Sequence, residues 1–177
     1  MPGRVTPEFR LAPLRVEDAE ALSAFEAASR DWFEQRVPPR PDAYFDPAAL
    51  AVILQGLLDG AEAEQARFFL VRAPNGTIMG RVNLTGITEG PGGWQAEVGY
   101  RIGPDQAGRG LARAALGAAL HLAREIGIDR LEARVARQHA ASIRVLEANG
   151  FVPTGRALQN AELHGQPQPL LHYQRAL

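Results

Sequence analysis

A short glycine-rich segment, Gly108-Arg109-Gly110, stands directly before an apolar stretch of helical period, and its residue types suit anion binding. Glycine has no Cβ, so an anion can approach the backbone closely at such a position. The first N–H groups of a helix have no partner inside the helix and point outward as donors. Arg109 would add a positive charge. The segment predicts a phosphate site; the alternative is a tight turn that uses glycine for conformational reasons alone.

Several other kinds of chemistry are excluded by residue type. The chain has no Lys and no Cys, which removes lysine nucleophiles, P-loops, thiol chemistry, disulfides and cysteine-ligated metals. No glycine pattern of a dinucleotide-binding fingerprint is present. His164 and His172 are isolated from one another and from carboxylates in the sequence, so we expect no metal site.

The glycine-rich segment joins a predicted strand, Trp94 to Ile102, to a predicted helix, Leu111 to Ile126, whose Ala and Leu residues repeat at three-and-four spacing. After this helix come a strand, Leu131 to Val135, and a helix, Ala140 to Ala148, that stops at Asn149-Gly150. Strands that alternate with helices in this way are typical of an α/β arrangement.

The remaining elements are predicted from periodicity and from proline and glycine positions. In chain order they are a strand at Phe9 to Leu14, a helix at Val16 to Arg36, a loop at Val37 to Asp46, a helix from Pro47 toward Gln65, a strand at Arg67 to Arg72, a turn at Pro74-Asn75-Gly76, a strand at Thr77 to Leu84, a glycine-rich separator at Thr85 to Gly93, a strand from Phe151, and a final strand at Pro169 to Leu177 that pairs with it. The fold class predicted is α/β (α+β) with a mixed central sheet.

Length and composition set further limits. A chain of 177 residues, 46% of them hydrophobic, suits one domain over residues 1–177. A formal net charge of −1 gives no overall attraction to nucleic acid or to an anionic membrane. Met1 to Leu14 lacks the apolar core of a signal peptide, and no apolar stretch reaches the length of a membrane span. We therefore expect a cytoplasmic protein with neither nucleic acid nor membrane as partner.

Two stretches resemble one known family in order and separation. Glu97 through Pro104 followed by Gly108 through Ala112 is similar to the coenzyme A loop of GNAT acetyltransferases. Ala141 through Phe151 looks like the later helix of that family and the Gly-Phe pair that follows it. Within the superfamily the pattern resembles the ribosomal-protein N-terminal acetyltransferases of the RimJ/RimL type. The resemblance runs from Phe9 to Tyr173 and is sharpest between Met79 and Gly155.

The resemblance implies a GNAT fold and acetyl-CoA as co-substrate, with no metal, and it implies a role for several residues. Glu97 would be the general base that accepts the proton of the amine. Ser142 would contact the sulfur and supply its proton. The residues implied to bind the cofactor are Tyr100, Ile102, Gly108, Arg109, Gly110, Leu111 and Ala112, and the acceptor-groove candidates are Arg36, Tyr44 and Asn83. His139 is a further candidate for a cofactor contact; the alternatives are a base or a solvated loop residue.

The chain departs from the family pattern at three positions. Ala107 stands where the loop usually opens with Gln or Arg, but the backbone amides that bind the anion remain. His139 replaces a common Asn, and Leu146 occupies the position of a tyrosine that serves many GNAT enzymes as general acid. A tyrosine mechanism at that position is therefore not expected here.

Fold and cofactor do not define the acceptor, so three functions remain open. The first is acetylation of the α-amino group of a protein or peptide N-terminus. The second is acetylation of a small amine such as an amino acid, a polyamine or an antibiotic. The third is an acyl-CoA sensor without turnover, which the changes at Ala107 and Leu146 would suit. The protein is expected as a monomer or a homodimer.

Overall fold

A computed structural model describes residues 5–177 as a seven-stranded mixed sheet with helices on both faces. The predicted domain of residues 1–177, and the expectation about Met1 to Leu14, extend by four residues beyond the described part. The strands are β1 (Arg10–Pro13), β2 (Arg67–Arg72), β3 (Ile78–Gly90), β4 (Gly93–Ile102), β5 (Arg130–Ala136), β6 (Val152–Pro153), β7 (Ala161–Leu163), β8 (Gln166–Gln168) and β9 (Leu170–Ala176). The helices are α1 (Ala19–Ala28), α2 (Arg30–Glu34), α3 (Pro47–Asp59), α4 (Leu111–Glu125) and α5 (Ala140–Ala148).

The large sheet has the order β1-β2-β3-β4-β5-β9-β6. Its neighbours are antiparallel except for β4 and β5, which are parallel. Strands β7 and β8 form a separate hairpin that the sequence patterns did not predict. Helices on both faces of a mixed sheet confirm the predicted fold class.

The sheet separates two apolar cores because successive side chains of a strand point to opposite faces. One core packs α4 and α5 against side chains such as Val82, Val98 and Leu131. The other packs α1 and α3 against Leu70 and Ile78. We call these the α4 face and the α1 face of the sheet. In β4, the even-numbered residues such as Val98 therefore lie on the α4 face, and the odd-numbered residues lie on the α1 face.

Two predicted helices are shorter in the structure. The helix expected from Val16 to Arg36 is divided into a 3-10 turn, Val16–Asp18, followed by α1 and α2, with the break at Ser29. The rings of Phe25 and Phe33 pack across this break, with centroids 5.8 Å apart. The helix expected to run toward Gln65 begins at Pro47 as predicted, capped by Asp46, but ends at Asp59 because Gly60 adopts an extended backbone.

The glycine-rich stretch expected to be a separator is in fact strand. β3 continues to Gly90 and forms a long hairpin with β4. A register shift between Thr85 and Thr88 accommodates Gly86, whose φ is 60°. An extra residue of this kind is a β-bulge, which glycine permits because it tolerates positive φ. The strand expected from Phe151 is only two residues long, and β9 pairs mainly with β5.

Within residues 5–177, no helix is long and apolar enough to cross a membrane. No three His, Asp or Glu side chains in the same range are grouped as ligands for a metal ion.

Candidate active site

A gap opens in the sheet between the two parallel strands β4 and β5. Their ladder includes Gln95↔Arg130, Ala96↔Leu131 and Glu97↔Glu132, and it ends there. β4 continues for five more residues, to Ile102, while β5 continues to Ala136 and stays paired with β9. The two strands thus diverge beyond Glu97, which leaves one edge of β4 facing the gap.

The peptide groups that face this gap can be identified from two hydrogen bonds. The N–H of Asp129, next to β5, donates to the C=O of Trp94 at 2.8 Å. On the other side, the N–H of Gly103 donates to the C=O of Met79 in β3, also at 2.8 Å. Alternate residues of a strand direct their peptide groups to the same side. Val98, Tyr100 and Ile102 therefore present their backbone groups to the gap.

The glycine-rich loop ends at the N-terminus of α4, as predicted. Gly108 has φ 71° and Gly110 has φ 79°, in the left-handed region that favours glycine. Ala114 N–H donates to Gly110 C=O at 3.1 Å, so the N–H groups at positions 111–113 have no carbonyl partner within the helix. The aligned peptide dipoles add a partial positive charge at this end of α4.

A cavity of about 370 Å³ adjoins this loop and is lined by Val5, Asp105, Ala107 and Arg109. A Cβ added at Gly110 would lie 2.9 Å from Thr6 Oγ1, so the close approach of the N-terminal segment also requires glycine there. The helix N-terminus, the left-handed glycines and Arg109 together fit the pyrophosphate of coenzyme A. The exposed peptide groups of β4 fit its amide-containing arm.

Glu97 lies where the β4–β5 ladder ends, on the α1 face of the sheet. Its Oε1 accepts hydrogen bonds from Arg134 Nε at 3.0 Å and Arg134 Nη2 at 2.8 Å. Its side chain is 35% exposed. Because both bonds go to Oε1, the second oxygen is left to accept a proton from an amine, directly or through water. The ion pair holds the carboxylate in place beside the gap.

Tyr100 projects to the opposite, α4 face, where its hydroxyl meets the side chain of Ser142 on α5. The Tyr100 Oη and Ser142 Oγ atoms are 2.8 Å apart. Burial raises the pKa of Tyr100 to about 12, an effect that the hydrogen bond with Ser142 partly opposes. The phenol therefore stays protonated at neutral pH. Either hydroxyl can donate to the other, so the pair can hold a proton close to the gap.

His139 and Arg36 are more than 100 residues apart in the chain but lie close enough for the charge of Arg36 to affect His139. His139 immediately precedes α5. Arg36 lies over the Trp32 ring, with its guanidinium carbon 3.4 Å from the ring centroid, and its Nη1 donates to Trp32 C=O at 2.8 Å. Burial, and to a smaller extent the charge of Arg36, lowers the pKa of His139. A neutral imidazole at pH 7 is the result.

The other two groove candidates occupy different depths. Asn83 on β3 is opposite Gly99 on β4, and its Oδ1 is buried without a hydrogen-bond partner among the described residues. Tyr44 is only 7% exposed and packs in the core of the α1 face, with Arg40 lying over its ring at 4.7 Å. Tyr44 is therefore a core residue that packs beneath the guanidinium group of Arg40, and it does not line an open groove.

A group of charged residues that the sequence patterns did not single out lies beside Asn83. We call Glu26, Arg40, Arg81 and Arg101 the arginine cluster. Glu26 is 3.6 Å from Arg40, 3.7 Å from Arg81 and 3.9 Å from Arg101, measured between side-chain oxygen and nitrogen atoms. The available signal was an arginine between apolar neighbours in each of two strands, Arg81 in β3 and Arg101 in β4. Glu26 and Arg40, which complete the cluster, come from α1 and from the loop of residues 37–46, and sequence spacing does not connect these segments with the strands.

Comparison with known proteins agrees with this geometry. Residues 8–152 match the model of the acetyltransferase (GNAT) domain family. The probable N-acetyltransferase YjcK of Bacillus subtilis (strain 168) is 30% identical over 155 residues, which are 86% of this chain and 85% of that protein.

Two solved structures have the same fold over nearly the whole chain. RimJ of Mycobacterium smegmatis, in complex with CoA-disulfide, superposes with a TM-score of 0.81 at 25% sequence identity. The match covers 95% of this chain and 85% of the RimJ chain. The ribosomal-protein-S5-alanine acetyltransferase of Vibrio fischeri has a TM-score of 0.86 at 23% identity, with 95% and 92% covered. The resemblance found in the sequence is confirmed. The chain belongs to the GNAT family and is an acetyl-CoA-dependent N-acetyltransferase.

Proposed function

We propose that this enzyme acetylates the α-amino group at the N-terminus of a protein or peptide. The observation that supports acetyl transfer to an amine is the placement of Glu97 and of the Tyr100–Ser142 pair on opposite faces of the sheet, beside the same gap. An amine must lose a proton to attack a thioester, and the departing thiolate must gain one. A base and an acid separated by the gap can serve these two needs without competing with one another.

Acetyl-CoA supplies the acetyl group as a thioester, and the roles of the residues follow from that chemistry. Glu97 accepts a proton from the amine as the C–N bond forms. Ser142 donates a proton to the sulfur as the C–S bond breaks, and Tyr100 replaces the proton of Ser142 and recovers its own from solvent. N–H groups of β4 that face the gap stabilise the charge that develops on the carbonyl oxygen.

The residues at the end of the gap bind the cofactor in this proposal. The amides of Gly108 through Ala112 hold the pyrophosphate, assisted by Arg109. Tyr100 and Ile102 hold the pantetheine arm through their peptide groups. His139 lies at the start of α5 and, because its pKa is lowered, contacts the cofactor as a neutral imidazole.

The choice of a polypeptide acceptor draws on the likeness to RimJ of M. smegmatis and the V. fischeri enzyme. Gly99 also leaves the α1 face of β4 open, since a Cβ there would meet no atom within 4 Å. A small amine is the second candidate. The arginine cluster favours it, because a compact acceptor with a negative charge would fit beside Asn83.

The proposal is tested with peptides of identical sequence that have either a free or a formylated N-terminus, each containing one internal Lys. We expect thiol release from acetyl-CoA only with the free terminus, and mass spectrometry should locate the acetyl group on the α-nitrogen. Acetylation of the Lys side chain in both peptides, or turnover confined to small amines, would contradict the proposal. Glu89→Gln, which changes an exposed carboxylate far along the β3–β4 hairpin, is the control variant.

A further inference from the structure

The arginine cluster has a large excess of positive charge for its degree of burial. It contains three guanidinium groups and one carboxylate, with exposures of 23% for Arg40, 2% for Arg81, 16% for Arg101 and 1% for Glu26. Of the charges near Arg101, those that affect its pKa belong to the other three members and to Tyr44. The four side chains therefore carry two more positive charges than negative ones, and within residues 5–177 Glu26 is the one carboxylate that affects the pKa of Arg101. Buried charges are unfavourable unless they are paired.

The pKa values of the cluster agree with this imbalance. Burial, followed by the charge of Arg40, lowers the pKa of Arg101 to about 10. Burial and the charge of Arg81 lower the pKa of Arg40. A positive group in this position is less favourable than in water, and an anion placed nearby would favour its charged form.

Hydrogen-bonding capacity is also unused at the cluster. The Nε and Nη1 atoms of Arg81 and the Nε of Arg40 are buried and have no hydrogen-bond partner within residues 5–177. Glu26 Oε1 lies 3.6 Å or more from both guanidinium groups, which is too far for a hydrogen bond. A buried donor without an acceptor costs about 1–3 kcal/mol. These enclosed donors add to the cost of the unpaired charge, whereas Arg40 and Arg101, at 23% and 16% exposure, can present a guanidinium fork that matches a planar carboxylate.

The sheet register places this positive site next to the reacting groups. Arg81↔Arg101, Asn83↔Gly99 and Thr85↔Glu97 are successive pairs on the same face, separated by about 7 Å along the strands. Asn83 Oδ1, in the middle of this row, is an acceptor with no hydrogen-bond partner in the described part of the chain. Glu97 and Asn83 suit an amine, and the arginines one pair further suit an anion. The space above Gly99 connects the two ends.

We propose that the amine acceptor also carries a carboxylate, which Arg40 and Arg101 bind directly while Arg81 supplies charge from beneath them. This inference rests on the proposed acetyl transfer at Glu97 and specifies its substrate. Arg101 and Arg40 are the members that reach solvent, whereas Arg81 is enclosed. The carboxylate belongs either to a free amino acid or to an acidic residue at the start of a peptide.

The first measurement compares acceptors that differ only in this charge. One arm compares free amino acids with their α-carboxamides; the other compares C-terminally amidated peptides that begin with Asp or with Asn. We expect kcat/KM to be about 10–100-fold higher for the carboxylate member of at least one pair, the range of a charged hydrogen bond. Preference in the first arm identifies a free amino acid, and preference in the second identifies an acidic N-terminus. Equal values in both arms would overturn the inference.

Variants assign the preference to the cluster. Arg101→Met and Arg40→Met should each remove most of the preference for the carboxylate-bearing acceptor. Arg67→Met, at an exposed position on β2, is the matched control and should preserve the preference. A preference that survives in both cluster variants would place the anion elsewhere and contradict the proposal.

A binding measurement separates this inference from the catalytic proposal. Calorimetry with N-acetylaspartate and with the uncharged N-acetylasparagine amide, in the presence of coenzyme A, needs no turnover. We expect only the charged compound to bind, and Arg101→Met to weaken it about 10-fold or more. If no amine is acetylated but this difference is found, the acceptor chemistry at Glu97 is wrong and the anion site stands. If neither compound binds the intact protein, or if both bind equally well, the proposed anion site is wrong.

Discussion

In the proposed mechanism, the cofactor side and the acceptor side of this enzyme are built from different parts of the chain. On the cofactor side, peptide groups would carry the function: the N–H groups at the start of α4 and the exposed edge of β4. On the acceptor side, side chains would carry it: Glu97, Asn83 and the arginine cluster. The first depends on local backbone conformation. The second depends on distant segments meeting above the sheet.

This difference has a consequence for substitution. A backbone site should tolerate many side-chain changes, of which Ala107 at the opening of the loop is one, but it should be sensitive wherever glycine is required. A side-chain site loses its specificity when one charged group is removed, because the remaining buried groups are then unpaired. The cofactor side should therefore fail through bulk and backbone strain, and the acceptor side through loss of individual charges.

The largest effect should come from the acceptor side, with Glu97→Gln. Removal of a general base lowers turnover by about 10²–10⁴-fold, while the affinity for acetyl-CoA should change little because Glu97 lies on the face away from α4. Thiol release at saturating acetyl-CoA measures the first quantity and calorimetry the second. An equal loss of acetyl-CoA affinity would show that the two sides are not separable at this residue.

Gly110→Glu should be the strongest change on the cofactor side. Both a carboxylate and a Cβ would be introduced at a residue with φ 79°, next to the expected pyrophosphate. We expect the Kd for acetyl-CoA to rise about 100-fold, with Gly110→Ala, which causes the same backbone strain without charge, rising about 10-fold or less. Equal effects from both variants would indicate that strain alone, and not repulsion of phosphate, is responsible.

A smaller effect is expected where the two sides meet, at the Tyr100–Ser142 pair. Ser142→Ala should lower kcat about 10–100-fold and Tyr100→Phe about 10-fold, at or below the lower end of the range of about 10²–10⁴-fold for general acid catalysis, because water can partly replace a lost hydroxyl as proton donor. The double variant should be no slower than Ser142→Ala, since residues that act as a unit are not additive. Multiplicative losses in the steady-state rates would indicate that Tyr100 acts independently of Ser142.

The smallest effect concerns the dependence of stability on pH at His139. Its folded-state pKa is lowered, so the unfolded chain binds a proton more readily, and stability is full above about pH 6.5 and declines as pH falls below it. His139→Gln should reduce this decline, by about 2 °C or less in Tm between pH 7.5 and 5.5. Arg36→Gln should reduce it less, because burial is the main cause of the shift. A steeper decline in either variant would show that the sign is wrong.

Much of the cofactor side could be predicted from the sequence. The strand before the loop, the start of α4 at Leu111 and the bounds of α5 agree with the prediction to within one residue. These elements depend on glycine conformation, helix periodicity and stop signals, which act over a few residues. The separator expected at Thr85 to Gly93 was wrong because cross-strand pairing with β4 overrode the local preference of glycine for turns.

What the sequence by itself determined is the family, the fold class and a loop suited to phosphate, because local conformation and residue order encode them. The tertiary structure alone decided where β4 leaves β5, that Tyr100 meets Ser142 across 42 residues, and that three arginines surround Glu26. Divergence of two strands depends on the packing of helices on both faces, and a charge cluster depends on segments brought together by the whole sheet. Neither follows from spacing along the chain.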